Sequence, residues 1–142
     1  MVLMQRDDAS LRKMIASMQL VPLMSYAKWV KLLAALVDNV DLIKKCRVKL
    51  IWEEGEAERE LLIDEYTSYN FDYYDRAMEA MITGKPRGWY GYQEIEWLDF
   101  PVFTYKAELQ DTEAIKDAIA GVGQFHLEQI DGNLRMYAYL RL

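Results

Sequence analysis

Apolar side chains at Leu11, Met14, Ile15 and Met18 recur at intervals of three and four, the spacing that lines one stripe of an α-helix. Asp7 or Asp8 precedes the stripe as an N-cap, because a short side-chain oxygen accepts from the open N–H groups of a first turn. Pro22 closes that unit. A second helix follows Ser25, with Tyr26, Trp29, Val30, Leu33, Leu36, Val37 and Val40 facing one way and Lys28, Lys31 and Asp38 another.

At Cys46 the period drops to two. Cys46, Val48, Leu50 and Trp52 alternate with Arg47, Lys49, Ile51 and Glu53, as a half-buried strand requires. Glu54-Gly55-Glu56 permits a turn, and Arg59, Leu61 and Ile63 alternate with Glu58, Glu60 and Leu62, which predicts a hairpin setting Arg47 and Lys49 opposite Glu58 and Glu60. Residues 66–74 suit an extended segment or a helix entry. Asn70 as an N-cap favours a helix through Phe71, Tyr74, Met78 and Met81, ended by Gly84 ahead of Pro86. Residues 88–100 alternate as one strand, with Trp89, Gly91, Gln93, Ile95 and Trp97 on one face and Tyr90, Tyr92, Glu94, Glu96 and Leu98 on the other, until Pro101. Residues 102–105 continue past a bend. Asp111 or Thr112 then caps a short helix that buries Ile115, Ala118 and Ile119 and stops at Gly121 and Gly123. A last hairpin joins residues 124–130 to 134–141 through Asp131-Gly132-Asn133.

This succession predicts an α+β fold, a mainly antiparallel sheet with helices packed on one face. Residues 1–142 read as a single domain in which 1–22 form an N-terminal helical extension, and Met24 is a second candidate start for the essential part. The 142 residues and 52% hydrophobic content supply one core and not two.

Charge changes the picture more than size does. A formal charge of −6 argues against duplex nucleic acid and anionic membrane surfaces, which need a concentrated basic face. Cys46 is the single cysteine, so no intrachain disulfide or thiolate cluster forms and a reducing compartment is expected. Acids at Asp7 and Asp8 stand where a signal peptide needs an apolar core, and no apolar run reaches the roughly 18 residues of a membrane span, so the expected location is cytoplasmic. The charge is also uneven. Residues 1–51 hold nine basic and four acidic side chains, residues 53–79 two basic and ten acidic, and residues 80–142 six and nine.

The chemistry-bearing residues are few. His126, between Phe125 and Leu127, points outward beside Glu128 and Arg135 if those two face the core, and Cys46 reads as a small buried residue. Glu94 and Glu96 share a strand face at roughly 7 Å, a spacing that suits paired-carboxylate hydrolysis and equally a solvated face. Gly84-Lys-Pro-Arg-Gly88 places two cations between glycines without a phosphate cradle, and reads as a surface turn. No catalytic residue, metal site or cofactor is assigned.

The acidic block interleaves carboxylates with rings, which suits docking on a cationic protein surface: rings desolvate an interface while carboxylates steer and accept. The candidate partner-binding residues are Trp52, Glu53, Glu54, Glu56, Glu58, Glu60, Asp64, Glu65, Tyr69, Asp72, Tyr73 and Asp75. A solvated hairpin and helix face has the same composition.

Four segments, Leu23-Met-Ser-Tyr-Ala-Lys-Trp29, Arg47-Val-Lys-Leu50, Glu94-Ile-Glu-Trp-Leu-Asp-Phe-Pro101 and Gly123-Gln-Phe-His-Leu through Gly132-Asn-Leu-Arg-Met-Tyr-Ala-Tyr139, resemble in order a family of short bacterial proteins known as a domain of unknown function. The resemblance brings no catalytic residues. It departs over the first 22 residues and over 54–82, which places a partner-specific surface there. Small acidic bacterial proteins of this style also resemble immunity proteins, which occupy a cognate toxin. The leading expectation is therefore a non-enzymatic protein-binding module, an immunity-type inhibitor that covers a basic surface of a bacterial toxin. Two alternatives stand beside it. One is a carboxylate-dependent hydrolase acting on a carbohydrate or phosphoester through Glu94 and Glu96, with or without a divalent cation. The other is a homo-oligomeric scaffold that uses exposed Met and Tyr.

Overall fold

The computed structural model describes residues 8–53, 59–61, 81–85, 88–104 and 108–141. Along the chain these form α1 (Asp8–Ser17), β1 (Leu20–Pro22), α2 (Tyr26–Asp38), β2 (Arg47–Leu50), β3 (Arg59–Leu61), β4 (Met81–Lys85), β5 (Gly88–Gly91), β6 (Ile95–Phe100), α3 (Thr112–Ala120), β7 (His126–Ile130), β8 (Asn133–Tyr137) and β9 (Tyr139–Arg141). Two 3-10 turns, Val40–Leu42 and Tyr92–Glu94, follow α2 and β5. Among the described residues every strand pairing is antiparallel, giving a seven-stranded sheet ordered β5-β4-β3-β2-β6-β8-β7 and a two-stranded ribbon β1-β9. The architecture is α+β. No described helix is long and apolar enough to cross a membrane.

The three described helices pack on one face of the sheet. Leu11 of α1, Trp29, Leu32, Leu33 and Leu36 of α2, and Ile115 and Ile119 of α3 share a buried cluster with Val48, Leu50, Leu98, Phe100, Leu134 and Met136. The register explains why those strand residues meet, since Val48 lies opposite Leu98, Leu98 opposite Met136 and Phe100 opposite Leu134. Each such side chain contributes about 1.5–3 kcal/mol when taken fully out of water. Ser25 caps α2 as the sequence predicts, its hydroxyl oxygen accepting from the Lys28 N–H at 3.1 Å, and Asp111 caps α3 by accepting from the Ala114 N–H at 3.0 Å. The buried stripe of α2 is wider than expected. Leu32 and Ala35 are also buried, because the helix touches α3 as well as the sheet, while Tyr26 is left 38% exposed.

Four sequence expectations are corrected. First, Leu20–Pro22 is a strand, not the end of a helical unit. The chain reverses at Gln19 (φ 54°), and Leu20 pairs with Arg141 and Pro22 with Tyr139, so Leu11 and Leu20 join the same core as the rest. Second, Met81 and Gly84 lie in β4 and not at a helix C-terminus, since the β-branched pair Ile82-Thr83 finds ladder partners in β5 and Gly84 sits opposite Gly88. The remainder of that predicted helix lies outside the described residues. Third, residues 88–100 are two strands. The turn Tyr92–Glu94 changes the phase, and a bulge changes it again: Lys49 faces Trp97 while Leu50 faces Ile95, leaving Glu96 as the extra residue. Ile95, Leu98 and Phe100 thereby face the helices while Trp97 and Asp99 face away. Fourth, residues 134–141 break at Ala138, where β8 leaves the sheet and β9 crosses to β1.

The last hairpin closes on two residues, Asp131 (φ 54°) and Gly132 (φ 87°), the doubly left-handed geometry of a type I′ turn. A Cβ on Gly132 would lie 3.5 Å from Val102 Cγ1, an ordinary contact, so the cost of a side chain there is in the backbone. Gly132→Ala is expected to lower stability by about 1 kcal/mol, read as a lower denaturation midpoint at unchanged m.

Candidate functional site

Of the twelve candidate partner-binding residues, Trp52, Glu53 and Glu60 are described; Glu54, Glu56, Glu58, Asp64, Glu65, Tyr69, Asp72, Tyr73 and Asp75 lie outside the described residues. Strand β3 divides the acidic block. Its first stretch begins at the end of β2 and its second departs after Leu61, so the two are anchored at opposite ends of a three-residue strand, roughly 7 Å apart. Glu60 stands opposite Arg47, as the hairpin predicts, and Lys49 donates to Glu96 of β6. Glu58 and the turn at 54–56 lie outside the described residues.

The start of the first stretch is fastened to the turn Tyr92–Glu94. The Ile51 N–H donates to the Glu94 carbonyl at 2.7 Å, and the Trp52 indole donates to the Glu94 carboxylate at 3.2 Å. Glu53 accepts from Arg59 Nε at 2.7 Å and from the Leu50 N–H at 3.0 Å, while the Arg59 guanidinium lies 5.3 Å from the centre of the Trp52 ring.

The other side of the same turn forms one wall of a cleft of about 150 Å³ lined by Met24, Ser25, Tyr26, Trp29, Tyr92, Gln93, Ala138 and Tyr139. Local structure places each part. The cap at Ser25 starts α2 so that Tyr26 and Trp29, three apart, share a wall, and the bend at Ala138 leaves a small side chain at the floor. Trp29 stacks on Tyr92 with centroids 5.4 Å apart and planes at 22°, and Tyr26 tilts against the same ring at 5.4 Å. Tyr139 Oη donates to the Gln93 carbonyl at 2.9 Å, and burial pushes its phenol up to about 12. This volume falls below the roughly 300–1,000 Å³ of small-molecule sites and fits one side chain.

The sheet face away from the helices carries ions. Glu96 accepts from Lys49 Nζ at 2.7 Å, Arg141 Nε at 2.8 Å and Arg141 Nη2 at 2.7 Å. Asp99, 1% exposed, is bound by Arg47 on one oxygen and by Arg135 Nε at 3.2 Å on the other, and Arg135 lies 3.7 Å from the Trp97 ring centre. The expectation that Glu94 and Glu96 share a strand face is therefore overturned: Glu94 belongs to the turn, and both are buried, at 2% and 5% exposure. Burial alone would raise the Glu96 carboxyl, but hydrogen bonds from Arg141 and Lys49, with their charges, outweigh it and hold it below the ordinary carboxylate range. A general acid needs the opposite shift.

No family model, curated protein or solved structure matches this chain.

The remaining candidates are modest. His126 is exposed, edge-on to Tyr137 at 5.4 Å, with Glu128 on the same face opposite Arg135. Of the glycine-flanked motif, Gly84 stands opposite Gly88 in the β4–β5 pair, while Pro86 and Arg87 lie outside the described residues. Among the described residues no three His, Cys, Asp or Glu side chains converge to hold a metal ion. Cys46 is 1% exposed; burial first, then Asp99 and Glu60, push its thiol well above the ordinary value. It is expected to stay unmodified by a thiol reagent at neutral pH until denaturant is added, which a colorimetric titration reads directly.

Proposed function

We propose that this chain is a non-enzymatic protein-binding module for a basic partner, with the aromatic cleft receiving one lysine or arginine side chain. The observation that carries the proposal is the shared turn: Tyr92 and Gln93 line a cleft of side-chain size, while the adjoining Glu94 is hydrogen-bonded to Trp52 at the start of the acidic block. Ring faces attract a cation and cover the apolar stem of Lys or Arg. The carboxylates from Glu53 onward attract the rest of a positive surface and speed its approach. Inhibition of a bacterial toxin, in the manner of an immunity protein, is the finer form of this proposal.

Capture from native lysate at low salt tests it, comparing the parent chain with Tyr26→Ala and with a Glu56→Gln, Glu58→Gln, Glu60→Gln triple variant. A basic protein that is held by the parent, released by salt and lost by both variants is the expected result. A partner held equally by all three, or no basic partner, overturns the proposal.

A further inference from the structure

Strand β7 ends the seven-strand order, pairs among the described residues only with β8 and keeps a regular five-residue register from His126↔Tyr137 to Ile130↔Asn133. His126, Glu128, Gln129 and Ile130 are exposed, and Leu127 packs partly against the core. Open edges are ordinarily blunted by charged side chains, lysine above all, by proline or by a bulge. This one has no lysine, proline or bulge, and its one formal charge, Glu128, stands opposite Arg135 of β8.

We infer that β7 pairs with the β7 of a second copy, antiparallel about a two-fold axis through Leu127. The two-residue turn Asp131-Gly132 makes Ile130 and Asn133 the hydrogen-bonded pair that closes the hairpin. Alternation then commits the N–H and C=O groups of Ile130, Glu128 and His126 to β8, and turns those of Leu127 and Gln129, with Phe125 ahead of them, toward the open side. A second antiparallel strand must set outward residues opposite outward residues. Registers centred on His126, Leu127 or Glu128 all do so, and charge separates them. Centring on Glu128 puts two carboxylates in the close, non-hydrogen-bonded position, and centring on His126 puts two imidazoles there and runs the ladder back to Gly123. Centring on Leu127 sets His126 beside the partner's Glu128 at two symmetric places and gives Phe125 the partner's Gln129. It also lays Leu127 beside the partner's Leu127, on the face that already packs against the core. The surface is isologous and closes at two copies.

Light scattering and sedimentation equilibrium of the full chain, at concentrations up to about 1 mM, test the inference. The expected species has twice the chain mass. Gln129→Pro removes an outward N–H that β8 does not use, on an edge strand where proline is tolerated, and is expected to weaken the dimer at least tenfold. Gln129→Ala keeps that N–H and keeps the dimer. His126→Asp, a surface change that leaves the ladder intact, sets two acids in the close pair and also weakens association at least tenfold. A single-chain mass throughout overturns the inference, as does a dimer indifferent to both Gln129→Pro and His126→Asp while circular dichroism shows the fold intact.

Discussion

Glu96→Gln is expected to destabilise the protein by about 3–5 kcal/mol, the cost of removing one partner from a buried ion pair. The loss falls on Lys49, whose side chain is 9% exposed and has no other carboxylate within salt-bridge distance among the described residues, so its ammonium is left in the interior without a counter-charge. Arg141 is 44% exposed and turns to water, so its share is small. Pairing the change with Lys49→Met is expected to recover most of the loss, because an apolar chain of similar volume carries no charge to strand. The acid limb of stability carries the same signature. The folded carboxyl titrates below its ordinary value near 4.5. The stabilisation is thus fully present above that value and is lost as pH falls through the folded pKa. Urea unfolding at a series of acidic pH values should show a flatter acid limb in Glu96→Gln than in the parent. An unchanged limb would place the acid sensitivity elsewhere.

Gln110→Ala is expected to cost about 2–4 kcal/mol, a large loss for one neutral polar side chain. Gln110 is 2% exposed and all its amide atoms are occupied. Oε1 accepts from the N–H groups of Lys44 at 2.6 Å and Lys45 at 2.9 Å, and Nε2 donates to the carbonyls of Lys45 at 3.0 Å and Pro101 at 2.8 Å. Those contacts fasten the approach to β2 to the segment that follows β6. Truncation leaves backbone groups from both segments without partners inside the protein. Gln110→Glu should not rescue it: the carboxylate keeps the two accepted bonds but stands against two carbonyl oxygens. Hydrogen exchange at the amides of Lys44 and Lys45 should quicken in both variants ahead of global unfolding.

The parts legible in the sequence are those with a long local period or a distinctive turn. α2 shows thirteen residues of helical spacing behind Ser25, α3 shows its cap at Asp111, and Asp131-Gly132 marks its hairpin without help from the rest of the chain. Elements set by distant partners were hidden. β1 is three residues long and exists because β9 lies beside it, and β4 is a strand because β3 and β5 flank it. The turn at Tyr92–Glu94 and the bulge at Glu96 shift the phase by single residues within a stretch where rings and acids stand on both faces, so alternation alone does not detect them. A signal for the ion network was nevertheless present. Glu96 and Asp99 interrupt an otherwise apolar strand, and cations two residues apart, Arg47 and Lys49, wait on its neighbour. The cleft had no such signal, because its lining comes from residues 24–29, 92–93 and 138–139, which only the folded chain brings together.

The indole N–H resonances give the most direct test of docking at the cleft. Trp29 lies in its wall and Trp52 at the adjoining start of the acidic block, whereas Trp97 sits under Arg135 on the sheet face away from the helices. Titrating labelled protein with the captured basic partner should move the Trp29 and Trp52 signals and leave Trp97 in place. Movement of Trp97 with Trp29 and Trp52 unmoved would contradict the assignment of the binding face.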